Sequence, residues 1–326
     1  MTQAIIGVDL GGTRVRAARM THKLEILERQ EMLTEDERGL EATLERIKEM
    51  IRKVLPTDGT PVEGIGVSVP GPTNPVAGVV VSPPNLKGWH NVPLATILQQ
   101  TFNVPVYLGN DANVAGLAET VMGAAVGFRH VIFITVSTGI GSGIICDGKI
   151  LLGRSGLAAE AGHIILVAKD RVSTLEKESA GPALARKARE RLEAGGASLI
   201  RDMVNGDLSQ ISGATVGRAA VQGDALALDV VRDSGRMLGL GIVSLLHLFN
   251  PEMIVIGGGV SNLGELLFAP MREALQEHCI DRAYWENLRI ERAALGENVS
   301  VIGAGSLVVT KGGMSDVAEA AARLKA

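Results

Sequence analysis

The chain has almost no cysteine: Cys146 and Cys279 are the only two in 326 residues, and they lie far apart. That excludes a disulfide framework and a cysteine-built zinc site, and it suits a reducing compartment, the cytoplasm. Long apolar runs are missing too; none reaches the ~18–20 residues of a membrane helix. Asp9 interrupts the one apolar stretch near the N-terminus, so no cleavable leader is expected. Nor is there an excess of positive charge: the net charge is −4, which offers no field for nucleic acid or an anionic membrane. Low-complexity tracts are absent. At 46% hydrophobic and 21% charged, the composition is that of a globular protein, long enough for two domains and a cleft between them.

The chain is organised around Ile5–Arg16, IIGVDLGGTRVR. Ile5, Ile6 and Val8 read as a buried strand, Gly11 and Gly12 force a tight turn, and Val15 starts a second strand. Glycines there let the backbone approach a ligand, Thr13 adds a hydroxyl, and Asp9 suits a water-bridged magnesium. Read alone, the same residues also describe an ordinary hairpin turn. A second hairpin of like design follows the strand at 130–136, with Ser137-Thr138-Gly139-Ile140-Gly141 at its turn. The chain thus carries a faint internal duplication. Two related halves facing each other would let both turns hold a polyphosphate through backbone N–H groups. The run GIGSG fails the spacing of a dinucleotide fingerprint.

Between and beyond the hairpins, strands and helices alternate. Helices are expected at 39–55, 94–102, 111–125, from Gly181 to about 195, within 224–249 and after Ser261. Strands are expected at 65–69, 79–81, 104–108, 164–167, 253–256 and about 300–302. Asn110 or Asp111 is placed to cap the helix at 111. Gly257-Gly258-Gly259 after a buried strand permits close approach of a flat ligand or of a helix.

Seven stretches then appear in one order: DLGGTRVR (9–16), VPGPTNPVAGVV (69–80), PNLKGWHNVPL (84–94), NDANVAGLAE (110–119), TGIGSGI (138–144), EAGH (160–163) and NPEMIVIGGGVS (250–261). In this set the sequence resembles the ROK family (repressor, open reading frame, kinase), and within it the glucokinase-like sugar kinases. The resemblance implies the two-domain α/β fold of actin-like ATPases (ribonuclease H-like) with an ATP and sugar cleft between the domains. The domains would be 1–120 plus 305–326, and 121–304. It implies transfer of the ATP γ-phosphoryl to O6 of glucose or a related hexose, with magnesium, by a homodimer that needs neither nucleic acid nor membrane. By the same resemblance Asp9, Gly11, Gly12 and Thr13 form one phosphate loop, with Asp9 on the magnesium side. Thr138, Gly139 and Gly141 form the other, and Gly258 and Gly259 lie against the adenosine. Asn85, Asn110 and Asp111 would hold the O3, O4 and O6 edge of the sugar, Glu160, His163 and Glu176 the O1 and O2 edge, with Asp111 the catalytic base.

The chemistry agrees with the residue types. Phosphoryl transfer needs mainly positioning and charge stabilisation, one carboxylate can take the hydroxyl proton, and Asn, Asp, Glu and His bind vicinal hydroxyls. One departure stands out: zinc-bearing members follow EAGH with a cysteine-rich loop, whereas 164–182 here reads IILVAKDRVSTLEKESAGP. No structural zinc is expected, and Glu178 competes with Glu176 for the sugar role. Other readings are a kinase of N-acetylmannosamine, N-acetylglucosamine, mannose or fructose, a polyphosphate-using member, and a transcriptional repressor. The repressor is disfavoured by the negative charge and by a first strand starting near residue 4.

Overall fold

The computed structural model describes residues 3–168 and 171–325. β1 (Ala4–Leu10), β2 (Arg14–Thr21) and β3 (Ile26–Leu33) form an antiparallel meander, with Asp9 opposite Arg16. α1 (Leu40–Val54) buries Leu44, Ile47 and Ile51, the apolar stripe its spacing predicts. β4 (Val62–Val69) then returns parallel to β1. The ribbon β5 (Thr73–Asn74) and β6 (Val79–Val80) and helix α2 (Leu94–Phe102) lead to β7 (Val106–Asn110), parallel to β4. α3 (Asp111–Val121) starts where β7 ends. β8 (Val131–Val136), β9 (Ile140–Cys146) and β10 (Lys149–Ile150) follow, then the antiparallel ribbon β11 (Ile165–Ala168) and β12 (Arg171–Thr174).

Five helices come next: α4 (Leu175–Ser179), α5 (Gly181–Glu193), α6 (Leu199–Met203), α7 (Gly213–Val221) and α8 (Ala225–Phe249). β13 (Met253–Gly257), α9 (Glu265–His278), β14 (Arg289–Arg292), α10 (Val299–Val309) and α11 (Val317–Lys325) complete the described chain. One sheet has the order β3-β2-β1-β4-β7 and the other β10-β9-β8-β13-β14. In each, the first hairpin strand lies at the centre, so the duplication seen in the two glycine turns extends to the sheets.

The chain divides into two compact units: Met1–Phe133, Gly143–Ala159 and Ala293–Ala326 form the first, Ile134–Ser142 and Glu160–Arg292 the second. The first takes in more than the 1–120 plus 305–326 expected. The reason is α10. Residues 300–302 read as a strand because VSVIGAGSLVV is mostly apolar, but the segment is a helix buried from Val301 to Val308, packed on β1, β4, β7 and α3. A short apolar run does not separate a buried strand from a buried helix. In the first unit the core joins Ile6, Val8, Ile65 and Val67 of the sheet to Ile47 and Ile51 of α1 and to Trp89.

In the second unit α8 packs against α9, α7, α4 and α5. Its cap is Asp224, only 9% exposed, whose Oδ1 accepts from Ala227 N (2.9 Å) and Ser198 Oγ (2.8 Å) and whose Oδ2 accepts from Leu199 N (2.8 Å). Burial alone would raise this carboxyl, but the hydrogen bonds outweigh it and hold the pKa below its ordinary value of 3.8. A depressed folded pKa contributes stability that is present above the unfolded value and lost as pH falls through the folded one. Asp224→Ala is therefore expected to cost about 1–2 kcal/mol near pH 7. In urea unfolding the gap to wild type should shrink below pH 4; an equal gap at both pH values would contradict the assignment.

Candidate active site

In the first unit the candidate residues stand at the C-terminal ends of adjacent parallel strands. Register pairs Asp9 with Ser68, Ser68 with Gly109 and Val69 with Asn110, which puts Asp9, the Pro70-Gly71 turn and Asn110-Asp111 on one edge of the sheet. The Gly11–Arg14 turn closes with Gly11 N donating to Arg14 O (2.9 Å). Thr34 ties it to the end of β3, its hydroxyl donating to Gly11 O (2.6 Å) and its N–H to Thr13 O (2.9 Å). Asp9 is 8% exposed and accepts from Arg16 Nη1 at 2.9 Å. Burial pushes the Asp9 carboxyl above its ordinary value, with Arg16 pulling the other way.

Asn85 and Asn110 are drawn in by bare glycines. A methyl group on Gly12 would stand 3.0 Å from Asn85 Cβ and 3.1 Å from its carbonyl oxygen; one on Gly71 would stand 2.5 Å from Asn110 Nδ2. The sequence left the cap of α3 open between two residues. Asn110 takes it, accepting from Ala112 N at 3.0 Å, while Asp111 Oδ1 accepts from the same N–H at 2.7 Å. Asp111 is exposed at the first turn of the helix.

In the second unit the Thr138-Gly139 turn is the centre. Ser137 N donates to Gly139 O at 2.8 Å, and Gly181 N donates to Ser137 O at 2.8 Å, which brings the start of α5 onto the turn. Glu176 Oε2 accepts from Ile140 N at 2.9 Å and lies 2.5 Å from where a Gly139 side chain would begin. Ala161 N donates to Ser142 Oγ at 3.0 Å, and a methyl on Gly162 would stand 2.1 Å from Ile140 O. The turn at Glu160–His163 is thereby held on β9, with the side chains of Glu160 and His163 exposed.

Glu178 is elsewhere: it is 2% exposed and bonded to Ser173 and Arg171. Of the two competing glutamates, Glu176 is the one on the hairpin. Gly141 lies in β9 just past it.

Gly258, at φ +85°, has its Cα hydrogen side 2.3 Å from Val136 O at the position a methyl would take, so only glycine fits there. Gly259 instead faces open space. It belongs to a cavity of about 940 Å³ lined by Thr138, Gly181, Gly213, Gly259 and Val260 among others. The cavity walls from α5 and α7 were not recognised from sequence. Their one signal is the pair of small-residue helix starts, Gly181-Pro182 and Ser212-Gly213, whose backbones meet: a methyl on Gly213 would stand 2.8 Å from Gly181 Cα.

Residues 5–311 match the ROK family over nearly the whole chain. The chain belongs to the ROK family. It is 33% identical over 310 residues to a glucokinase of Thermotoga maritima, covering 93% of this chain and 96% of the relative. It is 31% identical to a xylose repressor of Caldicellulosiruptor bescii, covering 94% of this chain and 78% of the repressor. Among solved structures it resembles a ROK glucokinase of Streptomyces griseus in complex with glucose and AMPPNP, at 32% identity and a TM-score of 0.74, over 93% of this chain and 98% of that one. This ROK chain therefore has the two-domain α/β fold of the actin-like ATPases. Among the described residues no helix is long and apolar enough to cross a membrane.

Proposed function

We propose that this protein is an ATP-dependent sugar kinase that transfers the γ-phosphoryl group to O6 of glucose or a related aldohexose. The observation that supports it most is the gathering of Glu160, His163 and Glu176 around the Thr138–Gly141 hairpin, acidic and imidazole groups beside a glycine turn. Such groups bind neighbouring hydroxyls, and such turns offer N–H groups to phosphate. In this reading Asn85, Asn110 and Asp111 hold the far edge of the sugar and Asp111 takes the proton of O6. Gly11, Gly12 and Thr13, with Thr138, Gly139 and Gly141, bind the phosphates. The adenosine lies in the cavity beside Gly258 and Gly259.

Asp9 fits a magnesium role: a single buried carboxylate at a phosphate turn suits an ion that takes one or two carboxylates and fills its other positions with phosphates and water. When bound, that ion would neutralise charge on the β- and γ-phosphates. The protein acts in the cytoplasm as a homodimer, which sedimentation would check.

The direct test is ADP release across a panel of hexoses and N-acetylhexosamines, with ATP and polyphosphate as alternative donors. Glucose with ATP is expected to give the highest kcat/KM; turnover with no sugar on the panel would refute the reading. A finer expectation concerns O2. Losing a hydrogen bond to a charged group costs about 1.5–3 kcal/mol, so 2-deoxyglucose should show a kcat/KM roughly ten- to a hundredfold lower in wild type. In Glu160→Gln the same deoxy penalty should be smaller, because the partner of O2 is already impaired. Equal penalties would remove Glu160 from O2.

We also propose that no structural zinc is needed. The stretch from Glu160 to Gly181 carries one histidine and no cysteine, whereas such a site takes about four nitrogen or sulfur ligands. Melting in a strong zinc chelator should leave the transition unmoved. Stoichiometric zinc in the purified protein, or a clear fall in melting temperature, would return His163 to a ligand role.

A further inference from the structure

We propose that Glu178 is a positioning residue. It holds α4 so that Glu176, two residues earlier, keeps its carboxylate on the Ile140 amide of the hairpin. The proposal rests on the sugar-kinase reading only for the role that reading gives Glu176.

α4 is five residues long and has no stability of its own at that length. Its N-terminus is capped by Thr174 Oγ1, which accepts from Lys177 N at 3.3 Å. Leu175 is fully buried and its N–H donates to Ile164 O at 3.0 Å, and Arg186 Nη2 donates to Lys177 O at 3.1 Å. The buried polar contacts at its C-terminal end run through Glu178 and its neighbour Ser179. The Glu178 side chain is 3% exposed. Oε1 accepts from Ser173 Oγ at 2.6 Å and from Arg171 Nη2 at 2.7 Å, which ties α4 to β12. Oε2 lies 3.6 Å from Lys187 Nζ and 3.5 Å from Arg186 Nη2, both on α5. Lys187, itself buried, donates to the Glu178 carbonyl at 2.7 Å, pairs with Asp233 Oδ2 at 2.7 Å and reaches Ser234 Oγ at 3.4 Å on α8. Ser179 Oγ donates to Ser234 O at 3.1 Å.

The residues at 176 and 178 point to different sides of so short a helix. Glu178 turns into the charged network, and Glu176 turns to the hairpin, where Ile140 N is 2.9 Å away. The space at the hairpin is narrow, because Glu176 Oε2 fills the place a side chain at Gly139 would take. A small tilt of α4 therefore takes the carboxylate off the amide, and misplacement by about 1 Å at a binding site can cost ~10²-fold. A buried charge network is a costly way to gain stability alone, since apolar packing often serves as well. Its value here is that it fixes one orientation of α4.

The test pairs residue-resolved amide hydrogen exchange with steady-state kinetics. In Glu178→Gln the Ile140 amide is expected to exchange at least ~tenfold faster. The hexose KM should rise at least ~tenfold, with kcat and the ATP KM within about threefold of wild type. Glu176→Gln should reproduce the change in hexose KM. A purely structural role would instead lower the active fraction, and so kcat, at constant hexose KM. Folded Glu178→Gln with Ile140 exchange and hexose KM unchanged would overturn the proposal.

If Glu178→Gln does not fold, Arg171→Gln removes a more exposed partner of the same oxygen. It should move both readouts in the same direction by a smaller amount, and no movement would likewise overturn it. Should wild type phosphorylate no hexose while Ile140 exchange still responds to Glu178→Gln, the kinase reading fails and the positioning role stands.

Discussion

Asp111→Asn is expected to lower turnover with hexose and ATP by at least ~10²-fold, while hexose binding changes far less. Asparagine keeps the shape of the side chain and an oxygen that can accept from Ala112 N, the bond Asp111 makes at 2.7 Å. Asn110 remains the cap of α3 through its own bond to Ala112 N, so the helix should start as before. What the substitution removes is the group able to accept a proton from the attacking hydroxyl. Phosphoryl transfer depends chiefly on positioning and charge stabilisation, so one general base accounts for only part of the total rate enhancement. The measurement is kcat with saturating ATP, together with hexose affinity by calorimetry. Near wild-type turnover would leave Asp111 as a residue of the helix start and move the base elsewhere.

The candidate residues were legible because they sit where buried strands end. Ile5–Val8, Ile65–Val69 and His130–Val136 are largely apolar runs stopped by Asp9, by Pro70 and by Ser137-Thr138-Gly139, and the stops are the candidate turns. The fold was less legible where one pattern admits two structures. The stretch 299–309 is largely apolar and rich in valine, yet it forms α10, because eight of its eleven residues are buried against three strands, β1, β4 and β7, and helix α3.

The second strand of the ribbon at 165–174 and helix α4 were missed for a different reason. They are short and polar, with Val167 and Val172 exposed, so neither period 2 nor period 3.6 stands out. The burial of Glu178 was hidden too. In the run LEKES it looks like any surface glutamate, and its partners lie on two other elements, Arg171 and Ser173 on β12 and Arg186 and Lys187 on α5. The cavity beside Gly259 depends on backbone meeting backbone between α5 and α7, which leaves almost no trace in side-chain pattern.

Gly66→Ala is expected to destabilise the first unit at or above the upper end of the ~1–3 kcal/mol usual for overpacking. A methyl group there would stand 1.7 Å from Ala304 O and 2.6 Å from Ala304 C, backbone atoms of α10 that no rotamer change can move. The strain cannot be relieved on the strand side either, since β4 is held between β1 and β7 by parallel pairing. Relief requires α10 to lift from the sheet. Gly7 on β1 meets the same helix, with a methyl placed 2.4 Å from Val301 O, so the two glycines give α10 a flat surface to lie on. Lifting α10 would also disturb α3, which packs on it and begins with Asp111. The variant should therefore lose thermal stability and turnover together, with little change in hexose KM for the fraction that remains folded. Gly259→Ala is the matched control, because a methyl there meets nothing within 4 Å and should leave melting unchanged. Wild-type melting in Gly66→Ala would mean that α10 does not pack this closely on β4.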